Sequence, residues 1–189
     1  MRRLVFLSAV WLTFGSAAYA QLGGGGEFRI FYQTIQSFDF DAGAGYLIAD
    51  GEAFHGGGFG FVFGLNDWFG IYSDTTFLGG VDTDYFDMKL ISQVQGAQFT
   101  WGDRDSVNVY GKAGIGFARF VIDVSGYEDV WYQSQFDFGG GATVPITEGM
   151  HWFGELKMSL LSLPNLTGSR DRDKWSPSPT FSTGVLFRF

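Results

Sequence analysis

The sequence predicts an all-β fold, an eight-stranded antiparallel up-and-down transmembrane β-barrel. Aromatic residues make up 19% of the 189 residues, and 22 are phenylalanine, yet the mean hydropathy is only +0.06. After the first 20 residues no apolar run is long enough for a membrane-spanning helix, which needs about 20 residues. Apolar and polar residues instead alternate, as in strands that face lipid on one side and a polar interior on the other.

The first twenty residues are typical of a secretory signal peptide. Arg2 and Arg3 precede an apolar stretch at 4–14, and Ala18 and Ala20 fit an A-x-A cleavage site. We therefore expect a cleaved signal peptide at 1–20, a glycine-rich leader at 21–26 and one β-barrel domain at 27–189.

Charge and cysteine content exclude several classes of protein. The chain carries 12 Lys and Arg against 20 Asp and Glu, and loss of Arg2 and Arg3 with the signal peptide would leave 10 against 20. Such an acidic surplus argues against nucleic-acid binding, which requires a basic face. The chain has no cysteine, so disulfides and thiolate metal sites are excluded.

The sequence predicts three hairpins, because segments with a large apolar residue at every second position are joined in pairs by short turns. In the first, Phe59, Phe61 and Phe63 share one face, and a turn at 65–67 leads into a strand at 69–77. The second joins 88–101 to 107–120 across 102–105, and the third joins 136–144 to 152–161 across 145–149. Strands at 28–38 and 181–189 would pair with each other and close the sheet. Longer segments at 41–54, 80–86, 123–133 and 164–179 would be the outer loops.

The same alternation predicts which side chains fill the lumen. Along the second hairpin, Met88, Leu90 and Val94 are expected to face lipid, and Lys89, Gln93 and Gln95 to face inward. A lumen of eight strands is only wide enough for side chains, and buried charges must be paired. We therefore predict ion pairs that close the lumen, with Asp137 and Glu155 as the main acceptors. The predicted polar network of the lumen consists of Arg29, Asp74, Lys89, Lys112, Asp137, Glu155, Lys157 and Arg188.

Tryptophans favour a membrane barrel over a soluble one. Trp68, Trp101 and Trp152 lie at or beside the three short turns, as expected of an aromatic girdle at the periplasmic interface. A lipocalin-like soluble barrel would instead point its apolar side chains inward and its charges outward.

The end of the chain resembles the C-terminal insertion signal of bacterial outer-membrane proteins. Phe181, Val185, Phe187 and Phe189 share one face of the last strand, and Arg188 lies on the other. With the hairpin rhythm and signal peptide, the chain resembles the superfamily of small eight-stranded outer-membrane barrels, which includes OmpA-like, OmpX-like and Opa-like barrels. The resemblance implies export to the bacterial outer membrane, contact with lipid and lipopolysaccharide, and recognition by the barrel-assembly machinery. In contrast to OmpA, we expect no peptidoglycan-binding domain after Phe189.

Catalytic chemistry is not expected. His55 and His151 fall at opposite ends of the predicted barrel, and neither begins the His-x-Ser arrangement that the lipid A deacylase barrels would imply. Acidic residues such as Asp82 and Asp84 lack the remaining ligands of a calcium loop, so solvated loops are favoured over a metal site. We expect no cofactor and no metal.

These observations predict a monomeric, non-enzymatic outer-membrane barrel with a structural or surface-interaction role, through envelope integrity or loop-mediated binding. Three alternatives stay open: an adhesion or ligand-binding barrel, a lipid A-modifying enzyme, and a narrow solute channel.

Overall fold

The computed structural model describes residues 25–36, 53–82, 86–103, 105–124, 127–163 and 174–189. They form a closed barrel of eight antiparallel strands, which confirms the predicted fold class. This part of the chain holds no helix long and apolar enough to span a membrane. The predicted signal peptide and most of the leader lie outside the described residues. The strands are β1 (Gly26–Gln36), β2 (Ala53–Gly64), β3 (Phe69–Asp82), β4 (Phe86–Trp101), β5 (Asn108–Val124), β6 (Tyr127–Thr147), β7 (Met150–Leu163) and β8 (Lys174–Arg188).

The first and last strands close the barrel, as the sequence predicted. β1 pairs with β8 from Glu27, opposite Arg188, to Ile35, opposite Thr180. The backbone N–H of Gly26 donates to the carbonyl of Phe189 at 2.7 Å, and the N–H of Phe189 donates back at 3.1 Å. Closure removes the free sheet edges on which other chains could pair.

Three short turns gather at one end of the barrel, here named the turn end; the opposite end is the loop end. In the β2–β3 turn, the Asn66 side-chain oxygen accepts the backbone N–H groups of Trp68 and Phe69 at 3.0 and 2.8 Å. Gly102 and Gly149 have φ of 107° and 74° in the other two turns, a backbone region that favours glycine. The β6–β7 turn is shorter than predicted, because β6 continues through a register shift to Thr147.

The predicted outer loop at 123–133 is wrong. β5 continues to Val124 and β6 begins at Tyr127, so most of this segment is a tall hairpin. Its partners include Asp123 with Glu128 and Phe120 with Trp131. Acidic residues suggested a solvated loop, but alternate positions such as Trp131 supply apolar contacts to the inside of the barrel.

Apolar side chains fill the lumen toward the loop end. The largest group, here named the loop-end cluster, is almost fully buried and packs against Trp131. Two smaller groups, Phe31 with Phe153 and Leu186, and Val62 with Tyr72 and Val94, lie deeper in the barrel. The loop-end cluster consists of Ile35, Phe54, Leu78, Met88, Leu90, Ala118, Phe120 and Leu161.

Candidate functional site: the lumen of the barrel

Charged side chains occupy the middle and turn end of the lumen, and their signs balance. Among the described residues, four cations and four anions have side chains no more than 8% exposed and joined in ion pairs. Six of the eight strands supply them, because positions of one parity on every strand point inward. The cations are Arg29, Lys112, Lys157 and Arg188, and the anions are Glu27, Asp74, Asp137 and Glu155.

Glu155 on β7 is the centre of the network. Its carboxylate lies 2.8 Å from the Lys112 ammonium and 3.9 Å from both the Arg29 guanidinium and the Lys157 ammonium. The Tyr110 hydroxyl donates to it at 3.1 Å. One carboxylate thus connects three cations that arrive from β1, β5 and β7.

Two branches extend from this centre across the lumen. Lys112 donates to Asp74 on β3 at 2.6 Å, and Lys157 lies 3.0 Å from Asp137 on β6. Asp137 also accepts from Gln135 at 2.7 Å, and the Gln135 amide oxygen accepts from Ser92 at 2.7 Å. The network therefore joins opposite walls of the barrel.

A third branch reaches the turn end. Arg29 donates to Glu27 at 2.7 Å and to the Gln98 amide oxygen at 2.9 Å. Glu27 also accepts from Arg188 at 2.9 Å. Arg29 lies over the Tyr110 ring at 4.8 Å from the centroid, a cation–π contact that adds to the ion pairs.

Side chains of the described residues pack the lumen tightly around the charges. The space between Arg29, Lys112 and Glu155 cannot hold a water molecule. A cavity of about 30 Å³ remains at the turn end beside Glu27 and Arg188. At the loop end, the loop-end cluster covers the charges with an apolar layer.

The structure corrects the predicted faces of β4. Lys89 is 64% exposed and pairs with Asp87 at 2.7 Å on the outer wall, so its predicted place in the lumen network is wrong. Gln93 and Gln95 also face outward, whereas Met88, Leu90 and Val94 are buried inside. Near the loop end the interior is apolar and the exterior is charged, so Met88 and Leu90 point inward and Lys89 points outward. Val94 lies deeper in the barrel, where it packs inward with Val62 and Tyr72.

Sequence reasoning also missed several lumen residues, among them Glu27, Ser92 and Gln98. Glu27 shares the parity of Arg29, but it lies next to the predicted leader and was not assigned to a strand face. Ser92 and Gln98 were missed because the faces of β4 were inverted. The predicted lumen network had five cations and three anions. With Lys89 excluded and Glu27 included, the observed network has four of each.

The girdle tryptophans and the last strand lie on the outer wall. Trp68, Trp101 and Trp152 are 57%, 59% and 45% exposed near the turn end, and Trp68 stacks on Phe99 with ring centroids 5.9 Å apart. Phe181, Val185 and Phe187 face outward from β8, and Phe189 follows it with 71% exposure. A role of the last strand in assembly stays a prediction.

The two histidines do not share a site. His55 is exposed near the loop end of β2, and His151 is buried at the turn end of β7, 3.5 Å from Arg188. Within the described ranges, no group of three or more His, Cys, Asp or Glu side chains could hold a metal ion. Asp84 lies outside the described residues.

A closed barrel of eight antiparallel strands is the fold of a class of outer-membrane proteins, and solved structures of that class match this chain. Neisserial surface protein A has 13% sequence identity and a TM-score of 0.65, with 88% of this chain and 98% of that chain covered. OprG from Pseudomonas aeruginosa has 14% sequence identity and a TM-score of 0.60, with 88% of this chain and 96% of that chain covered. Ail, the attachment invasion locus protein of Yersinia pestis, has 15% sequence identity and a TM-score of 0.56, with 88% of this chain and 99% of that chain covered.

No family model and no curated protein matches the sequence. At these identities the structural likeness establishes the fold: the chain has the fold of the small eight-stranded outer-membrane β-barrels.

Proposed function

We propose that the chain is a bacterial outer-membrane barrel with a sealed lumen, and that its role is structural or interactive at the cell surface. The observation that carries this proposal is the filled interior. A balanced charge network and an apolar layer occupy the lumen in succession, and the space among the central charges is too small for a water molecule, which supports a sealed lumen. The function would then be carried out by the outer wall and the loop end of the barrel. The turn end would face the periplasm, as in other barrels of this type.

A tall section of wall supports a role outside the membrane. A strand tilted by 35–45° climbs about 2.5 Å per residue, and the apolar band of such barrels is about 25 Å tall. The 17 residues of β5 exceed this band, whereas the 11 residues of β1 just span it. The projecting part of β4–β6 carries exposed charges, including Lys89, Asp123 and Glu128.

The location has a direct test. Folded barrels resist unfolding by detergent, so unboiled protein from the outer-membrane fraction should migrate differently from boiled protein on a gel. Recovery in the soluble fraction, or an unchanged mobility, would refute an outer-membrane barrel.

The surface role is tested by shortening the β5–β6 hairpin. Replacing residues 121–130 with Asn-Gly retains the Phe120–Trp131 pair and therefore the loop-end cluster. Attachment of cells to surfaces or host ligands should fall while detergent resistance of the barrel is unchanged. The matched control alters the turn end, with Asp103→Ser and Asp105→Ser. Antibiotic sensitivity of a strain that lacks the protein distinguishes a structural role from an interactive one. If the role is purely structural, this strain should change in antibiotic sensitivity and attach normally.

We propose no catalytic role. The surroundings of the two histidines support this. Within the described residues, the polar neighbours of the rings are the Ala53 carbonyl for His55, at 3.4 Å, and Arg188 for His151, at 3.5 Å, whereas a histidine-dependent lipid A-modifying site would need Ser and carboxylate groups beside one histidine. Mass spectrometry of lipid A from strains with and without the protein should give the same acyl pattern. A changed pattern would overturn the non-enzymatic proposal.

A further inference from the structure

Four polar side chains form a compact group on the outer wall, here named the polar patch: Ser73 and Thr75 on β3, and Gln93 and Gln95 on β4. Ser73 pairs with Gln95 and Thr75 with Gln93 in the sheet register. All four point away from the lumen, since the alternate positions Tyr72, Asp74 and Val94 are buried inside it. Within the described chain, none of the four makes a side-chain hydrogen bond.

Apolar side chains surround the polar patch. Phe59 and Phe61 flank it on β2, opposite Thr75 and Ser73. On β5, Ile115 lies opposite Gln95 and Phe117 opposite Gln93. The patch is therefore enclosed within an otherwise apolar wall. Ile71 and Phe99 continue that wall toward the turn end, and Phe77 and Ile91 toward the loop end.

The polar patch lies at the depth of the hydrocarbon. Gln95 and Gln93 are six and eight residues from Trp101 along β4. At about 2.5 Å of climb per residue they lie about 15 and 20 Å above the tryptophan girdle, inside an apolar band about 25 Å tall. Lipid acyl chains at that depth offer no hydrogen-bond partner, and an unpaired amide there costs free energy.

A second copy of the chain would supply the missing partners. A glutamine amide both donates and accepts, so two polar patches that face each other satisfy one another. Both copies insert with the same direction, so a two-fold axis along the membrane normal brings residues of equal depth together. Gln93 and Gln95 then meet their own counterparts without any change of register.

The patch is open to a second copy on its β5 side. A groove of about 840 Å³ runs along β5 and β6, and Gln93 and Gln95 line it together with Ile115, Phe117 and Phe136. The amides are therefore not covered by neighbouring side chains of their own barrel.

We propose that the barrel forms a two-fold homodimer in the membrane through the polar patch, with Gln93 and Gln95 of the two copies hydrogen-bonded to each other across the axis. This replaces the expectation of a monomer from the sequence. The dimer would leave the lumen closed and place the two tall hairpins on one side of the membrane.

Cysteine cross-linking tests the geometry, because the chain has no native cysteine. In lipid vesicles, full-length Gln95→Cys should form a disulfide-linked dimer on oxidation. The matched control is Met158→Cys, which faces outward on β7 six residues from Trp152 and thus at a similar depth. Equal cross-linking of the two variants would overturn the proposal.

Replacement of the amides tests their energetic role. The double variant Gln93→Leu, Gln95→Leu should keep the gel mobility shift of a folded barrel and self-associate at least about ten-fold more weakly in vesicles, since it removes four hydrogen-bonding side chains from the interface. A monomeric wild-type protein, as expected if lipid or another protein covers the patch, would overturn the proposal. So would a folded double variant with unchanged self-association.

Discussion

At the scale of single residues, Glu155 holds the lumen together. Its carboxylate lies within 4 Å of Arg29, Lys112 and Lys157. The whole set of four cations and four anions is neutral, but the pairs are buried, so removing one partner leaves a charge without compensation. Replacing one charged side chain of the network by an uncharged one of similar shape should therefore destabilise the barrel.

Glu155→Gln should destabilise the folded barrel by about 3 kcal/mol, because three cations lose their shared anion in a buried site. The free energy of unfolding in urea, with the protein in lipid vesicles, measures the change. Glu148→Gln in the exposed β6–β7 turn is the matched control and should shift stability by less than about 0.5 kcal/mol. Equal effects of the two substitutions would contradict the role of Glu155.

Glycines in the wall make room for the network. A Cβ on Gly60 would collide with a side-chain oxygen of Asp74, which pairs with Lys112. Gly60→Ala should therefore cost about 1–3 kcal/mol by displacing that carboxylate. Gly79→Ala is the matched control on β3, since nothing lies within 4 Å of its added Cβ. A stable Gly60→Ala variant in the same urea titration would show that Asp74 is free to move.

At the scale of elements, β4 shows where alternation predicts a strand without predicting its direction. Inside the apolar band, large apolar residues face lipid, as Phe59 and Phe61 do on β2. Above the band the exterior is water and the interior is the loop-end cluster, so the rule inverts for Met88, Lys89 and Leu90. The sequence pattern carries no signal for this change of surroundings.

The faces of β4 are tested by thiol labelling of single-cysteine variants. Lys89→Cys should react with a membrane-impermeant maleimide on intact cells, since Lys89 is exposed on the projecting wall. Leu90→Cys should be protected, because Leu90 is fully buried in the loop-end cluster. Reaction at position 90 with protection at position 89 would restore the faces predicted from sequence.

The other strands and turns could be predicted from sequence because each depends on a local pattern of residues. Period-two alternation located all eight strands, and turn residues such as Asn66 and Gly102 located two of the hairpin connections. The β5–β6 hairpin was missed because its length depends on interior contacts by Trp131, which only the closed barrel brings together. Lumen positions such as Lys112 and Glu155 followed from parity, whereas those of β4, such as Gln98, did not. The pairing of those charges depends on register across several strands and could be predicted only in general terms.

At the scale of the whole molecule, the barrel is a closed wall of unequal height around a filled interior. The turn end carries Trp68, Trp101 and Trp152, the middle carries paired charges, and apolar residues line the inside of the loop end. This order favours a protein that acts through its outer surface, with its lumen serving to hold the wall rigid. The sealed lumen is the claim on which the proposed function depends.

Planar-bilayer recording of the purified protein tests that claim most directly, once a gel mobility shift has shown that it is folded. The account predicts no stable channel, with current traces that match those of the bilayer alone. Large, uniform and long-lived conductance steps would contradict it.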